Sequence, residues 1–405
     1  MNLRPLLAPR SSARLLLAQF AFATALVAGC GGGGSAGTTS GTGTSDTSSF
    51  AAGPITGFGS VIVNGVRFDD SNARVSDDDG TASSKDKLKL GMTAEVHGGA
   101  ISDDGTGPKA TAADITFGAT LVGPVASIDV TAKSLVILGQ PVLVLDTTVF
   151  DEHLLGGLAG ITVGMLVEVH GQLNPVTGIY TATRIGSSQA LAGYKIRGIV
   201  ANLDTKAKTF TMGGTLISYA GVASVPADLA NGLLLAVRLR TVQVAGAWVA
   251  TRLGAGAPPV ADSDAAHLKG AITAFTSTAQ FSVNGIPVDA SKAEFEGGTT
   301  GIVLGAQVDV KGTSSNGVVI AKSVSVETEQ EVHDNGFELH GAVTTIDIMA
   351  QTFVLREVTV SYGSPTVQFT RGTAAQLAVG VQLEVHGTLS TDGTQLQATR
   401  IAFGG

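Results

Sequence analysis

The sequence holds one cysteine, Cys30, so no intramolecular disulfide can staple its folded part. Charge is sparse as well. Only 14% of the 405 residues are charged, the formal charge is -8, and no run of Lys or Arg interrupts the chain after its first fourteen residues. Such a surface repels phosphate backbones, which argues against nucleic acid as a partner. Aromatic residues make up 5% of the chain and form no repeated platform: Trp248, Tyr180, Tyr194, Tyr219 and Tyr362 are scattered. Catalytic signatures are missing too. The strand-forming part has no Gly-x-Ser-x-Gly elbow, His-Glu-x-x-His pair or phosphate loop, and nothing there implies a cofactor or an enzyme. What is plentiful is glycine, 54 residues, together with Val, Thr, Ala and Leu, a composition of short strands joined by tight turns. The expected class is all-β.

One stretch is written five times. Gly164-Met165-Leu166-Val167-Glu168-Val169-His170-Gly171 recurs around Glu95-Val96-His97 and Glu384-Val385-His386, and in weaker form around Val308-Asp309-Val310-Lys311 and Val237-Arg238-Leu239-Arg240. The shared polar position falls at 95, 168, 238, 309 and 384, a period of 70 to 75 residues. A fixed period of this length means tandem units, each of about 65 to 70 residues and near the lower limit for a single hydrophobic core.

Within a unit the order of signals is constant. A short strand carrying a glycine opens it, as in Ile55-Thr56-Gly57, Leu268-Lys269-Gly270 and Leu339-His340-Gly341. A hairpin follows, and Asn64-Gly65 and Asn284-Gly285 are strong signals for a two-residue type I′ turn. Arg356-Glu357 occupies the same place without a residue that accepts positive φ cheaply, so another turn type is expected there. After a third strand comes a patch suited to one helical turn, such as Ala227–Asn231 or Ala374–Leu377, then the repeated stretch as the fourth strand. A fifth strand such as Ala182-Thr183-Arg184-Ile185 or Ala398-Thr399-Arg400-Ile401 closes the unit. This order matches an oligonucleotide/oligosaccharide-binding type barrel, and other five-stranded topologies are compatible with it.

The front of the chain reads as a targeting signal. Arg4, Arg10 and Arg14 precede an apolar stretch, Leu15–Ala28, too short and too early for an ordinary membrane span. It ends in Val27-Ala28-Gly29-Cys30, which resembles the bacterial lipoprotein cleavage box. The resemblance implies lipidation of Cys30, a membrane anchor through more than one acyl chain, and, because Gly31 rather than an aspartate follows, the outer membrane.

The early glycine, the Val-Asn-Gly hairpin, Gly-x-x-Val-Glu-Val-His-Gly and the closing Ala-Thr-Arg-Ile together resemble the bacterial domain of unknown function 5666, over about residues 54 to 403. That resemblance implies tandem domains on a lipoprotein and carries no catalytic residue. The expected layout is a signal peptide at 1–29, a Gly/Ser/Thr-rich tether at 30–53 and barrels at 54–118, 119–188, 193–254, 267–328 and 337–403. A linker at 255–266 is expected to let the first three units move relative to the last two, and an acidic connector spans Thr328–Asn335.

Alternation in the fourth strand sends Val167 and Val169 to one side and Glu168 and His170 to the other. The pairs Glu95 with His97, Glu168 with His170 and Glu384 with His386 are therefore candidate ligand or metal positions on the outer wall. Two ligands do not close a metal site, and polar cover of a barrel wall is the plainer reading. Asp77-Asp78-Asp79 and Asp103-Asp104 suggest calcium less than solvated turns. The function this favours is a non-enzymatic structural or protein-interaction module of the cell envelope, with a glycan- or metal-binding lipoprotein as the alternative.

Overall fold

The computed structural model describes residues 48–188, 192–257, 260–327 and 336–404. The signal peptide, Cys30, the tether up to residue 47 and the acidic connector from residue 328 to 335 lie outside the described residues. The described residues belong to one compact unit. It is all-β: among the described residues there is no α-helix, only 3₁₀ turns at Lys85–Lys87, Gly157–Gly160 and Ala374–Gln376. Each of these sits between a third and a fourth strand. Ala227-Asp228 makes a turn only.

Ser48–Phe58 pairs with Val61–Val63, which turns back into Val66–Asp69. Val66–Asp69 runs parallel to Pro108–Phe117, Thr93–Gly99 lies antiparallel to that strand, and Thr93–Gly99 returns to Ser48–Pro54. The spatial order is first, second, third, fifth, fourth, first, a closed five-stranded barrel. The same closure recurs in Leu121–Ser187, Ser263–Val326 and Phe337–Phe403. In Tyr194–Ala255 it recurs with the first strand broken at Val200.

The repeated stretch closes these barrels. Its valines fill the cores: Val96, Val167, Val169, Val237, Val308, Val310 and Val385 are fully buried. Directly after its last polar residue, the register with the fifth strand slips at His97/Gly98, His170/Gly171, Lys311/Gly312 and His386/Gly387. That is a β-bulge, which sharpens the bend of the strand. A Cβ on Gly98 would lie 2.6 Å from the Thr111 carbonyl oxygen, and Gly171, Gly312 and Gly387 meet the fifth-strand backbone in the same way. The final glycine of the motif is thus required by close approach of two strands.

One hairpin and one opening glycine come out differently from expectation. Asn64-Gly65 has φ of 53° and 77°, as a type I′ turn needs, but Arg356-Glu357 adopts the same geometry with φ of 52° and 62°. The right-handed twist of the flanking strands selects this turn, at about 1–2 kcal/mol per non-glycine residue. The opening glycine of the first barrel is Gly53 and not Gly57. Asn64 lies over Gly53 as Asn284 lies over Gly270, leaving no room for a Cβ at either place.

The strand begins at Ser48, so residues 48–53 belong to a barrel and not to the tether. Phe50 and Ala51 are each 1% exposed, an apolar pairing that a Gly/Ser/Thr count does not reveal. This strand organises the molecule. Ala51, Ile55 and Phe58 enter one core with the Phe337–Phe403 barrel, while Phe50 and Ala52 enter the core of the Ser263–Val326 barrel. Backbone pairing follows the cores: Ser49–Ala52 runs parallel to Ala265–Leu268, and Gly57 and Phe58 pair with Glu338 and Leu339. The second and third barrels share another core and join through Val122↔Lys195. The expected linker at 255–266 contains the start of a strand at Ser263, held against the first barrel. Independent movement of the last two units is not what the packing supports.

Candidate functional site

The outward residues of the fourth strand face away from their own barrel, but because the barrels pack together they rarely face solvent. Each copy of Glu-x-His meets a different neighbour.

Glu95 borders a cavity of about 260 Å³ lined also by Asp78, Asp79, Arg197, Arg238 and Arg252. Burial pushes its carboxyl up to about 7, with the Arg197 charge opposing that rise. Arg197 donates through Nε to the Gly256 carbonyl and through Nη2 to the Asn284 carbonyl at 2.9 Å. Its charge therefore sits in the cavity wall without a carboxylate in contact. Asp78 and Asp79 sit in a turn, as expected, but their carboxylates are engaged by another barrel. Asp78 pairs with the buried Lys195, and Asp79 pairs with Arg238 and with Arg252 at 3.0 Å, clamping the first barrel to the third. Asp77 caps its own turn, and Asp103 and Asp104 accept local backbone N–H groups as expected. His97 packs on the Phe50 ring, centroids 4.8 Å apart, and burial lowers its pKa.

His170 is 2% exposed and burial drives it towards the neutral form. Its Nδ1 faces the Thr93 N–H at 3.4 Å, and Nε2 stands 3.9 Å from Glu168 Oε1, beyond hydrogen-bond reach. Beside it the buried Arg184 donates to Asp151 at 3.0 Å and to the Leu90 carbonyl at 3.3 Å. This pair seals the junction of the first two barrels and is closed off from solvent.

The third copy differs. In the last barrel the first strand pairs with the fourth so that Glu338 lies opposite His386, and His340 opposite Glu384. Four side chains of metal-ligand type thereby share one outward face. His386 Nε2 is 2.8 Å from Glu384 Oε1, and His340 Nε2 is 2.5 Å from Glu338 Oε1. Glu338, Glu384 and His386 can each place a ligand atom within 4.8 Å of the other two. Arg67 of the first barrel donates to Glu338 Oε1 from Nη2 at 2.7 Å and Nε at 3.1 Å. Burial would raise the Glu338 carboxyl, but the bonds from His340 and Arg67 outweigh it and hold the group at about 2.

Of the six candidate ligand residues, Glu384 and His386 are thus brought into a cluster of metal-ligand type, while Glu95 borders the charged cavity. Glu338 and His340 were missed, although Glu338-Leu339-His340 carries the same Glu-x-His alternation. In the fourth barrel the corresponding four places hold His267, Lys269, Asp309 and Lys311. There Lys269 reaches Asp309 at 3.2 Å and Glu327 at 2.5 Å, so an ammonium occupies the carboxylates. Another His-containing group, Asp151-Glu152-His153, is a sequence-local turn in which Asp151 is already committed to Arg184. The tyrosines and the tryptophan offer no stacking face: Tyr180, Tyr194, Tyr219 and Tyr362 are buried, and Trp248 packs edge-on against Tyr194.

Comparison with known families finds the domain of unknown function DUF5666 in three segments, residues 122–186, 269–325 and 340–402. These are the second, fourth and fifth units; the first and third fall outside the matched segments and share the strand order. No curated protein matches the sequence.

Proposed function

We propose, from the premise that the chain carries the DUF5666 domain in repeated form, that it is a lipid-anchored, non-enzymatic protein of the bacterial cell envelope. In this reading five small barrels in tandem form a structural or protein-interaction body. The observation that carries it is the division of labour in the repeated stretch. Its valines and glycine build the barrel, while among the first three units its polar positions join one barrel to another, Arg238 to Asp79 and His170 to Thr93. Residues selected for assembly in this way suit a scaffold better than a reaction centre. Anchoring through Cys30 and outer-membrane placement rest on the signal-like first thirty residues.

The test is crosslinking in intact cells, with mass spectrometry of what co-purifies with the lipidated protein and with a Cys30→Ser form. A single stoichiometric protein partner, lost with Cys30→Ser, supports the reading. Recovery of only lipid and abundant envelope proteins contradicts the interaction role.

A second reading, binding of a glycan or metal through the Glu-x-His face, is favoured at one place. Only the last barrel sets Glu384 and His386 beside a second Glu-x-His pair.

A further inference from the structure

We propose that Glu338, His340, Glu384 and His386 form a binding site for one divalent transition-metal ion of the zinc class. The proposal rests on the ligand-binding reading of the Glu-x-His face, and the scaffold reading stands without it.

Register supplies the convergence. Two Glu-x-His segments on adjacent antiparallel strands, each Glu opposite a His, put two imidazoles and two carboxylates at neighbouring corners of one patch. In a tetrahedral zinc site with bonds of about 2.0–2.2 Å, adjacent donor atoms stand about 3.3 Å apart. The His386 Nε2–Glu384 Oε1 pair at 2.8 Å needs to open by only several tenths of an ångström to admit an ion, and on the other strand Glu338 Oε2 and His340 Nε2 supply the facing donors. Donor atoms of Glu338, Glu384 and His386 already lie within 4.8 Å of one another, and His340 joins them through its contact with Glu338.

Donor chemistry selects the ion. Two neutral imidazoles with two carboxylates suit zinc and its first-row neighbours, whereas calcium and magnesium prefer an all-oxygen shell. The surroundings are built for fixed ligands. Arg67 holds one oxygen of Glu338, leaving Oε2 to turn to the ion, and Arg356 Nε donates to the His340 carbonyl at 3.1 Å. A side chain at Gly59 would collide with the His340 side chain, so the glycine makes room for the ring. Side-chain exposures of 15%, 27%, 17% and 33% leave the patch open enough for an ion to enter. Arg371 and Arg400, 3.8 and 3.6 Å from Glu384, act against a cation and limit the affinity. In the fourth barrel Lys269 supplies the positive charge that the last barrel leaves to an ion.

The experiment uses the full-length lipidated protein in detergent, prepared without a histidine tag, with zinc content after equilibrium dialysis read by mass spectrometry. Cobalt substitution adds a spectroscopic readout, since a tetrahedral site gives intense visible absorption. The expected result is one zinc per chain, weakened at least about tenfold in His386→Gln and in Glu338→Gln. Glu338→Gln also changes the partner of Arg67. If it alters the circular dichroism spectrum, His386→Gln, whose ring is one-third exposed, carries the comparison. Stoichiometric zinc that is unaffected by His386→Gln but lost with His97→Gln or His170→Gln overturns this site and keeps the ligand-binding face. Absence of stoichiometric zinc overturns this site and the metal reading of the face, and leaves only its glycan reading.

Discussion

Arg67 Nη2 meets Glu338 Oε1 at 2.7 Å across 271 residues of sequence, joining the first barrel to the last at the edge of the Glu/His patch. Because His340 and Arg67 depress the Glu338 carboxyl to about 2, this contact has a definite pH signature. A carboxylate with a folded pKa below its unfolded value stabilises the fold above the unfolded pKa. That stabilisation is lost as pH falls from about 4.5 towards 2. The full shift corresponds to about 3 kcal/mol, and solvent screening of this half-buried pair reduces the stabilisation at neutral pH to about 1–2 kcal/mol. Urea unfolding at pH 6 and pH 3 is expected to show a stability loss that is smaller in Glu338→Gln. An equal loss in both proteins would contradict the assignment.

Glu95 carries the opposite sign. Its folded pKa, raised to about 7, means the folded state holds a proton that the unfolded state releases at lower pH. Stability therefore falls as pH rises from about 4.5 through 7. Glu95→Gln, which mimics the protonated acid, is expected to raise the melting temperature at pH 8 and to change it little at pH 4. A lower melting temperature at pH 8 would mean that Glu95 acts there as the partner of Arg197.

Neighbouring glycines separate the roles of the motif. Gly98 faces the Thr111 carbonyl, whereas a Cβ on Gly99 meets nothing within 4 Å. Gly98→Ala is expected to destabilise by about 1–3 kcal/mol and Gly99→Ala by less than about 0.5 kcal/mol. Equal effects in chemical denaturation would remove the bulge argument.

Phe50 tests the role of the first strand. It is 1% exposed and sits in the core of a barrel that begins more than 200 residues later. Phe50→Ala is expected to cost about 3–5 kcal/mol. Hydrogen exchange should then speed up in Ser263–Val326 as well as in Ser48–Phe117. Acceleration confined to the first barrel would contradict the shared core.

Much of the barrel was legible because it is local. Alternating valines, the Asn-Gly turns and the order of five strands depend on residues near one another in sequence. The assembly was not legible, since it depends on contacts such as Asn64 Nδ2 to the His267 carbonyl, 2.9 Å apart in space and 203 residues apart in the chain. Ser48–Gly53 resembled a tether because its few apolar residues, Phe50, Ala51 and Ala52, divide between two cores and show no periodicity beyond a single short strand. At the site, Glu384 and His386 were recognisable from their alternation. Glu338 and His340 were masked by the glycine that follows them, which marks the strand as an opening strand and draws attention from its outward face. Only the register between the two strands sets these pairs opposite one another.

The most direct test is whether Ser49 lies beside Ala265, as the parallel pairing of these strands requires. Adjacent strand positions fall within the 4.4–6.8 Å Cα separation that a disulfide spans. A Ser49→Cys, Ala265→Cys double variant in a Cys30→Ser background has no competing thiol. Mild oxidation is expected to give a nearly complete intramolecular disulfide, independent of protein concentration. Free thiols, or disulfides formed only between molecules, would contradict a body organised around the first strand and return the units to a string of separate barrels.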